Sequence, residues 1–248
     1  MDQYALEVEA LTKTFGGIHA VQTVSMKVPA GQRRALIGPN GAGKTTLFNC
    51  IAGSLTPTAG RISLFGKDVT HLAEHRRTSM GIGRTFQITN VFHKLSVVEN
   101  VLLAVNGTRR RKWVMHRSLE IFSEDLSEAS ELLELVGLGH RGAMSVQHLS
   151  YGERRQLEIA LALASKPRVL LLDEPASGLS PGERQNMAKT IKELSRDITV
   201  ILIEHDMSVV LGLADQVAVL HYGRLLIEGT PDEIQANVEV REVYLGKV

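Results

Sequence analysis

The sequence predicts an α/β fold built around a parallel sheet, and three observations carry that prediction. Residues 34–37, 168–172, 199–203 and 217–220 form short apolar runs of strand length, the signature of strands buried on both faces. In the last third of the chain these runs alternate with segments of helical periodicity, as parallel strands joined by crossover helices require. A glycine-rich segment, Gly38-Pro39-Asn40-Gly41-Ala42-Gly43-Lys44-Thr45, joins the first of these runs to a helical stretch over residues 45–51.

Taken in order, strand-like runs at residues 6–10, 24–28, 34–37 and 61–64 fill the first third and predict a small β-rich region around the strand that enters the glycine-rich loop. From Ser96 to Ser165 the pattern turns helical. Helix starts are marked by a Ser or Thr followed three residues later by Glu, so that hydroxyl and carboxylate each satisfy an otherwise unpaired N–H: Ser96/Glu99, Ser150/Glu153, Ser180/Glu183 and Thr230/Glu233 all fit. Pro181 and Pro231 follow two of these caps at the first helical position, where a missing N–H costs nothing. Met187, Ile191 and Leu194 recur at helical spacing and predict one buried stripe. No repeat or long Pro/Gly/Ser linker divides the chain, so a single body is expected.

The 248 residues carry 44% hydrophobic and 22% charged side chains, enough to bury a substantial core. A net charge of +1 gives no global field favouring nucleic acid, which is not expected as a partner. No apolar run approaches the roughly 18 residues that span a bilayer. The N-terminus lacks a basic region followed by an apolar one, so no secretory signal is expected. Cys50 is a lone cysteine on the helix after the loop and is read as a buried apolar thiol in a reducing cytoplasm.

The loop fits the phosphate-cradling pattern G-x-x-x-x-G-K-[ST] in its required strand, loop and helix context. Glycines at 38, 41 and 43 let the backbone curl so that successive N–H groups face phosphate, and the following helix adds its positive dipole end. Lys44 would neutralise the β- and γ-phosphates of ATP, and the Thr45 hydroxyl would ligate Mg²⁺. Farther on, the apolar run ending at Leu172 delivers Asp173 and Glu174 to the C-terminal end of a strand, where open α/β sheets place ligands. Asp173 would hold Mg²⁺ and Glu174 would polarise the attacking water.

With Leu149-Ser150-Tyr151-Gly152-Glu153 between these two motifs and His205 after them, the whole chain resembles the nucleotide-binding subunit of an ATP-binding cassette (ABC) transporter. The resemblance implies a P-loop NTPase with a RecA-like core, an antiparallel β subdomain and an inserted α-helical subdomain. On that pattern residues 1–87 and 166–236 form the core with its β subdomain, 88–165 the helical subdomain and 237–248 a tail. It implies that the loop through Thr46 grips phosphate and that Phe15 stacks on adenine, in place of the commoner Tyr. It implies that Gln87 approaches Mg²⁺ and water while touching the permease, and that His205 contacts the γ-phosphate. Ser150 and Gly152 would meet the ATP held by a second ATPase subunit, identical or homologous, so that two nucleotides join two copies. Tyr151 and Glu153 stand where the family commonly has Gly and Gln, and Ser180 where it often has Asp.

The segments 81–87, 204–207 and 228–234, with Asn237, Val240 and residues 244–246, resemble ATPase subunits of branched-chain amino acid importers. That implies ATP-driven uptake of branched-chain amino acids or a related small polar solute. It also implies membrane permease subunits docking near Gln87 and the helical subdomain, a periplasmic or extracellular solute-binding protein, and a peripheral position on the cytoplasmic face of the inner membrane. The alternatives are another ABC system, for urea or amide uptake or lipopolysaccharide export, and a soluble ABC ATPase such as an iron–sulfur assembly factor. The basic run Arg109-Arg110-Arg111-Lys112-Trp113, closing with His116 and Arg117, is read as a solvated loop face, with a headgroup or permease contact as the alternative.

Overall fold

The structure is a computed structural model that describes residues 4–85, 91–108 and 119–245. The chain opens with two long strands, β1 (Tyr4–Phe15) and β2 (Ile18–Pro29), followed by β3 (Arg33–Ile37) and α1 (Lys44–Ala52). Next come β4 (Ala59–Leu64), β5 (Lys67–Asp68), α2 (Glu74–Ser79) and β6 (Ile82–Arg84). The helical stretch contains α3 (Val97–Thr108), α4 (Leu119–Leu135) and α5 (Tyr151–Leu163), with short 3₁₀ turns at Gly139–Arg141 and Val146–His148. The remainder alternates: β7 (Val169–Asp173), α6 (Pro181–Glu193), β8 (Thr199–Ile203), α7 (Met207–Leu213), β9 (Gln216–His221), β10 (Arg224–Gly229), α8 (Pro231–Ala236) and α9 (Val238–Leu245).

Among the described residues the strands form two sheets. One is antiparallel, in the order β2-β1-β4-β5; the other runs β10-β9-β3-β8-β7-β6, parallel from β9 to β6 and closed by antiparallel β10. The middles of the parallel strands are apolar because the sheet faces a core on both sides, with charged or polar residues such as Arg33, Arg34 and Asp173 at strand ends. Ala35, Ile37, Leu170, Leu172, Val200, Leu202, Val217 and Val219 point into a core shared with α3 to α7. Their alternates, Leu36, Val169, Leu171, Ile201, Ile203, Ala218 and Leu220, point into a second core shared with α1 and the antiparallel sheet. The stripe of Met187, Ile191 and Leu194 is buried in the first of these.

The antiparallel strands are about twice as long as the alternation in the sequence suggests, because bulges interrupt the pattern. The β1–β2 register shifts between Val8 and Leu11, and Ala10 and Thr23 both adopt positive φ, 46° and 51°. Hydroxyls take over the backbone bonds lost there: Ala10 N–H donates to Ser25 Oγ (2.8 Å) and Thr23 N–H to Thr12 Oγ1 (3.1 Å).

All four expected capping boxes form: reciprocal bonds join Ser96 with Glu99, Ser150 with Glu153, Ser180 with Glu183 and Thr230 with Glu233. The far end of α1 is capped by a side chain from elsewhere. Buried Arg77 donates to the carbonyls of Cys50 (2.6 Å) and Ile51 (2.8 Å), and to Leu72 (2.9 Å) and Thr70 (3.1 Å) in the neighbouring loop. Cys50 is buried as expected, and desolvation pushes its thiol up to about 11. Among the described residues no helix is long and apolar enough to cross a membrane.

Candidate nucleotide site

The turn from β3 into α1 is shaped by two close backbone approaches. Gly43 caps α1 in the left-handed region (φ 98°), and a Cβ there would lie 2.2 Å from the carbonyl oxygen of Ala20 on β2. A Cβ on Gly38 would lie 2.2 Å from the Leu220 carbonyl at the end of β9. Gly223, in the β9–β10 turn, donates its N–H to Ala42 O (2.9 Å) and braces the loop from the other side. Glycine at positions 38 and 43 lets β9 and β2 crowd the loop this closely.

The loop walls a cavity of about 210 Å³ lined by residues 40–46, Ala20 and Glu174. Asn40, Gly41, Ala42, Gly43, Lys44, Thr45 and Thr46 are thus gathered with the second acid of the distant β7 motif, while Gly38 and Pro39 do not line the cavity and meet it only through Lys44. Lys44 Nζ donates to Gly38 O (2.7 Å) and Pro39 O (3.0 Å). Burial lowers the Lys44 pKa, against the opposing pull of Glu174 and Asp173. Its ammonium is held inside the turn where an incoming polyphosphate can take it over.

Asp173 ends β7 almost fully buried, and among the described residues neither of its carboxylate oxygens has a hydrogen-bond partner. Its nearest cation is Arg84, Nη2 to Oδ2 at 4.0 Å. Burial raises the Asp173 pKa, with the charge of Glu174 adding to the shift and Arg84, Arg155 and Lys44 opposing it. Glu174 takes a left-handed backbone (φ 48°), unusual for a residue with a side chain, and is fixed there by its N–H bond to Ile203 O (3.0 Å). Such strain concentrates where a side chain must be aimed rather than packed.

Ser150 and Gly152 lie elsewhere. They line a separate cavity of about 410 Å³ between the start of α5 and the start of α6, and the loop residues 40–46 are not part of it. Buried Leu149 anchors the segment while Ser150 stays exposed. The Glu183 carboxylate packs over Gly152, and a Cβ there, 2.4 Å from Glu183 Oε1, would require that side chain to move. Arg141 holds Glu153 by a 2.7 Å ion pair, so the Glu that replaces the common Gln has its own counter-charge. Ser180 acts as the N-cap of α6.

Phe15 stands half-exposed at the end of β1, with Lys13 Nζ 5.0 Å from its ring centre; it does not line the loop cavity. His205 is exposed just past β8. Gln87 and the basic run from Arg109 to Arg117 lie outside the described residues. Sequence reasoning gave no role to Ala20, whose carbonyl fits against Gly43, to Arg84, which bonds Asn49 Oδ1 (2.6 Å) on α1 while facing Asp173, or to Glu204. A carboxylate closing an apolar strand directly before a candidate His was the available signal for the last of these.

A family profile described as "ABC transporter" matches residues 21–177, more than half of the chain. The chain belongs to that family. A second profile, "Branched-chain amino acid ATP-binding cassette transporter", matches residues 224–248 of this ABC ATPase. Over its whole length the ABC ATPase is 39% identical to the high-affinity branched-chain amino acid transport ATP-binding protein BraF of Pseudomonas aeruginosa, and 38% identical to LivG of Escherichia coli, a protein of the same description. Each alignment covers 100% of both proteins. Its fold is similar to the ADP conformation of an ATP-binding cassette of an ABC transporter, at TM-score 0.86 and 31% identity, covering 98% of this chain and 99% of the other. A cassette solved as a post-hydrolysis dimer with ADP and Pi aligns at TM-score 0.78 and 26% identity, covering 91% and 98%. The RecA-like core with an antiparallel sheet is therefore the ABC ATPase fold, and the chain is an ATPase of that family.

Proposed function

We propose that this ABC ATPase energises the uptake of branched-chain amino acids, working as a closing pair of subunits beneath a membrane permease. The observation that carries the proposal is the convergence of Glu174 and the loop residues 40–46 on one cavity, with the bare carboxylate of Asp173 buried beside it. Residues 40–46 wrap the phosphates with backbone N–H groups, and Lys44 exchanges the carbonyls of Gly38 and Pro39 for phosphate oxygens. Phe15 offers the adenine an exposed ring face.

The donor set fits Mg²⁺, which needs few protein ligands because it keeps waters and phosphate oxygens. Thr45 and Asp173 would hold it, with Gln87 approaching; bound there, it would neutralise charge on the β- and γ-phosphates. Asp173, lacking any hydrogen-bond partner, is the kind of buried oxygen that a cation satisfies. Glu174 orients and deprotonates the attacking water, and His205 contacts the γ-phosphate. Because Ser150 and Gly152 face a different cavity from the loop of their own chain, their ligand is the ATP of a second subunit, met by the N-terminus of α5.

In this reading residues 1–87 and 166–236 form the core with its β subdomain, 88–165 the helical unit that meets the permease with Gln87, and 237–248 a tail. The chain sits on the cytoplasmic face of the inner membrane and is fed indirectly by a solute-binding protein. The profile match over residues 224–248, with two full-length relatives of the same description, favours branched-chain amino acids over urea, amides or an assembly role. Glu174→Gln tests the mechanism: turnover is expected to fall about 10²-fold or more while MgATP drives the chain into stable dimers. Turnover within about twofold of the parent removes Glu174 as the base.

A further inference from the structure

Glu204 is fully buried, yet among the described residues no salt bridge compensates its charge. Its backbone N–H extends the β3–β8 pairing by donating to Leu36 O (3.3 Å), two residues before Gly38. One carboxylate oxygen accepts the N–H of Ala176 (3.0 Å), two residues after Glu174; the other accepts the N–H of His205 (3.2 Å). Burial pushes the Glu204 carboxyl above the usual range, and the backbone donors of Ala176 and His205 pull against that. On the other side of His205, Asp206 is tied to the same region: its Oδ2 accepts from Arg184 on α6 (2.6 Å) and its Oδ1 caps α7 through Ser208.

From this arrangement we infer that Glu204 is a positioning residue that locks the backbone of His205 to the segment following Glu174, so that the two catalytic loops move as one unit. The inference rests on the γ-phosphate role given to His205 above. A carboxylate is expensive to bury, and a neutral side chain could fill the same space at lower cost. What a carboxylate adds is two acceptor oxygens on one planar group, able to hold N–H donors from two strand ends at once. The Ala176 bond joins residues 28 apart in sequence, across the β7–β8 seam. With Asp206 gripping Arg184, His205 is tethered on one flank to the connection between β7 and α6 and on the other to α6 itself. Any displacement of that connection when a second subunit closes on it is therefore delivered to His205.

The test uses the full-length chain and four variants: Glu204→Ala, Glu204→Gln, His205→Ala and the Glu204→Ala/His205→Ala double. Steady-state ATP hydrolysis and the Kd for ATP are measured for each. Glu204→Ala is expected to lower kcat about tenfold or more with Kd within about twofold of the parent, because it misplaces a single γ-phosphate contact used in turnover and leaves residues 40–46, which grip the nucleotide, untouched. Glu204→Gln, which keeps one acceptor oxygen but turns an amide donor toward the second N–H, is expected to fall between. The double variant is expected to be no slower than His205→Ala alone, since both substitutions remove one device. Losses that multiply in the double variant, or parental turnover in both Glu204 variants, overturn the inference. Should Glu204→Ala fail to fold, Glu204→Gln decides on its own, with parental kcat overturning the inference and a reduced kcat at unchanged Kd supporting it. Parental turnover in His205→Ala would instead overturn the role of His205, and this inference with it.

Discussion

Gly43 and Gly41 occupy the same loop and both adopt positive φ, 98° and 79°, yet their surroundings differ. An added Cβ at position 41 meets no atom of the protein within 4 Å, whereas at position 43 it lies 2.2 Å from Ala20 O and 3.4 Å from the Ala20 carbonyl carbon. Gly41→Ala therefore costs only backbone strain, about 1–2 kcal/mol for an L-residue in the left-handed region. Gly43→Ala adds to that strain an overlap with a backbone atom that cannot swing aside, so either β2 or the loop must shift; overpacking of this kind costs a further ~1–3 kcal/mol. The totals are about 1–2 kcal/mol at position 41 and roughly 2–5 kcal/mol at position 43. At about 3 °C per kcal/mol for a chain of this size, Tm should fall by roughly 3–6 °C and 6–15 °C. Thermal unfolding is measured without nucleotide, because a bound phosphate could itself meet the new methyl group. If the two variants melt within about 1 °C of each other, the close approach of Ala20 is not what demands glycine at position 43, and the account of how the loop is shaped fails.

Arg77→Ala leaves three buried carbonyls and one partly buried carbonyl without their donor and should cost about 3–5 kcal/mol in urea unfolding; Arg77→Lys should recover only part, since one ammonium cannot span two segments as a guanidinium does. Asp173→Asn removes a buried charge whose oxygens have no hydrogen-bond partner, so it should raise the nucleotide-free Tm while lowering ATP turnover by about 10²-fold or more, measured by thermal scanning and phosphate release. The Ser208 hydroxyl and Arg184 hold the Asp206 carboxyl below its usual range. Its contribution to stability is thus present above the unfolded carboxylate value of about 4 and is lost as pH falls through the depressed folded value, so Asp206→Asn should flatten the acid limb of a Tm-versus-pH curve.

What could be read from the sequence follows from which contacts are local. The caps at Ser150, Ser180 and Thr230 are legible because donor and acceptor sit three residues apart. Strands β7 and β8 are legible because burial on both faces leaves unbroken apolar runs. β10 went unread because its mixed exposure, with Arg224 and Glu228 facing outward, follows neither period. β6 was hidden by Gly83, which is there to let Pro167 approach: an added Cβ would lie 2.9 Å from the proline ring. The same division runs through the site. Residues 38–46 are contiguous because one turn can wrap a phosphate, so their chemistry is written in one stretch. Glu204 acquires its partner only when Ala176 is carried to it across the sheet; its place between an apolar strand and a candidate His marks the residue but not that meeting. Ser150 and Gly152 form a third case. The chain places them on a cavity that residues 40–46 do not line, so within one copy the two sets of residues share no cavity. In the reading proposed above the other half of their site belongs to a second copy, a pairing for which a similar cassette solved as a post-hydrolysis dimer offers a precedent.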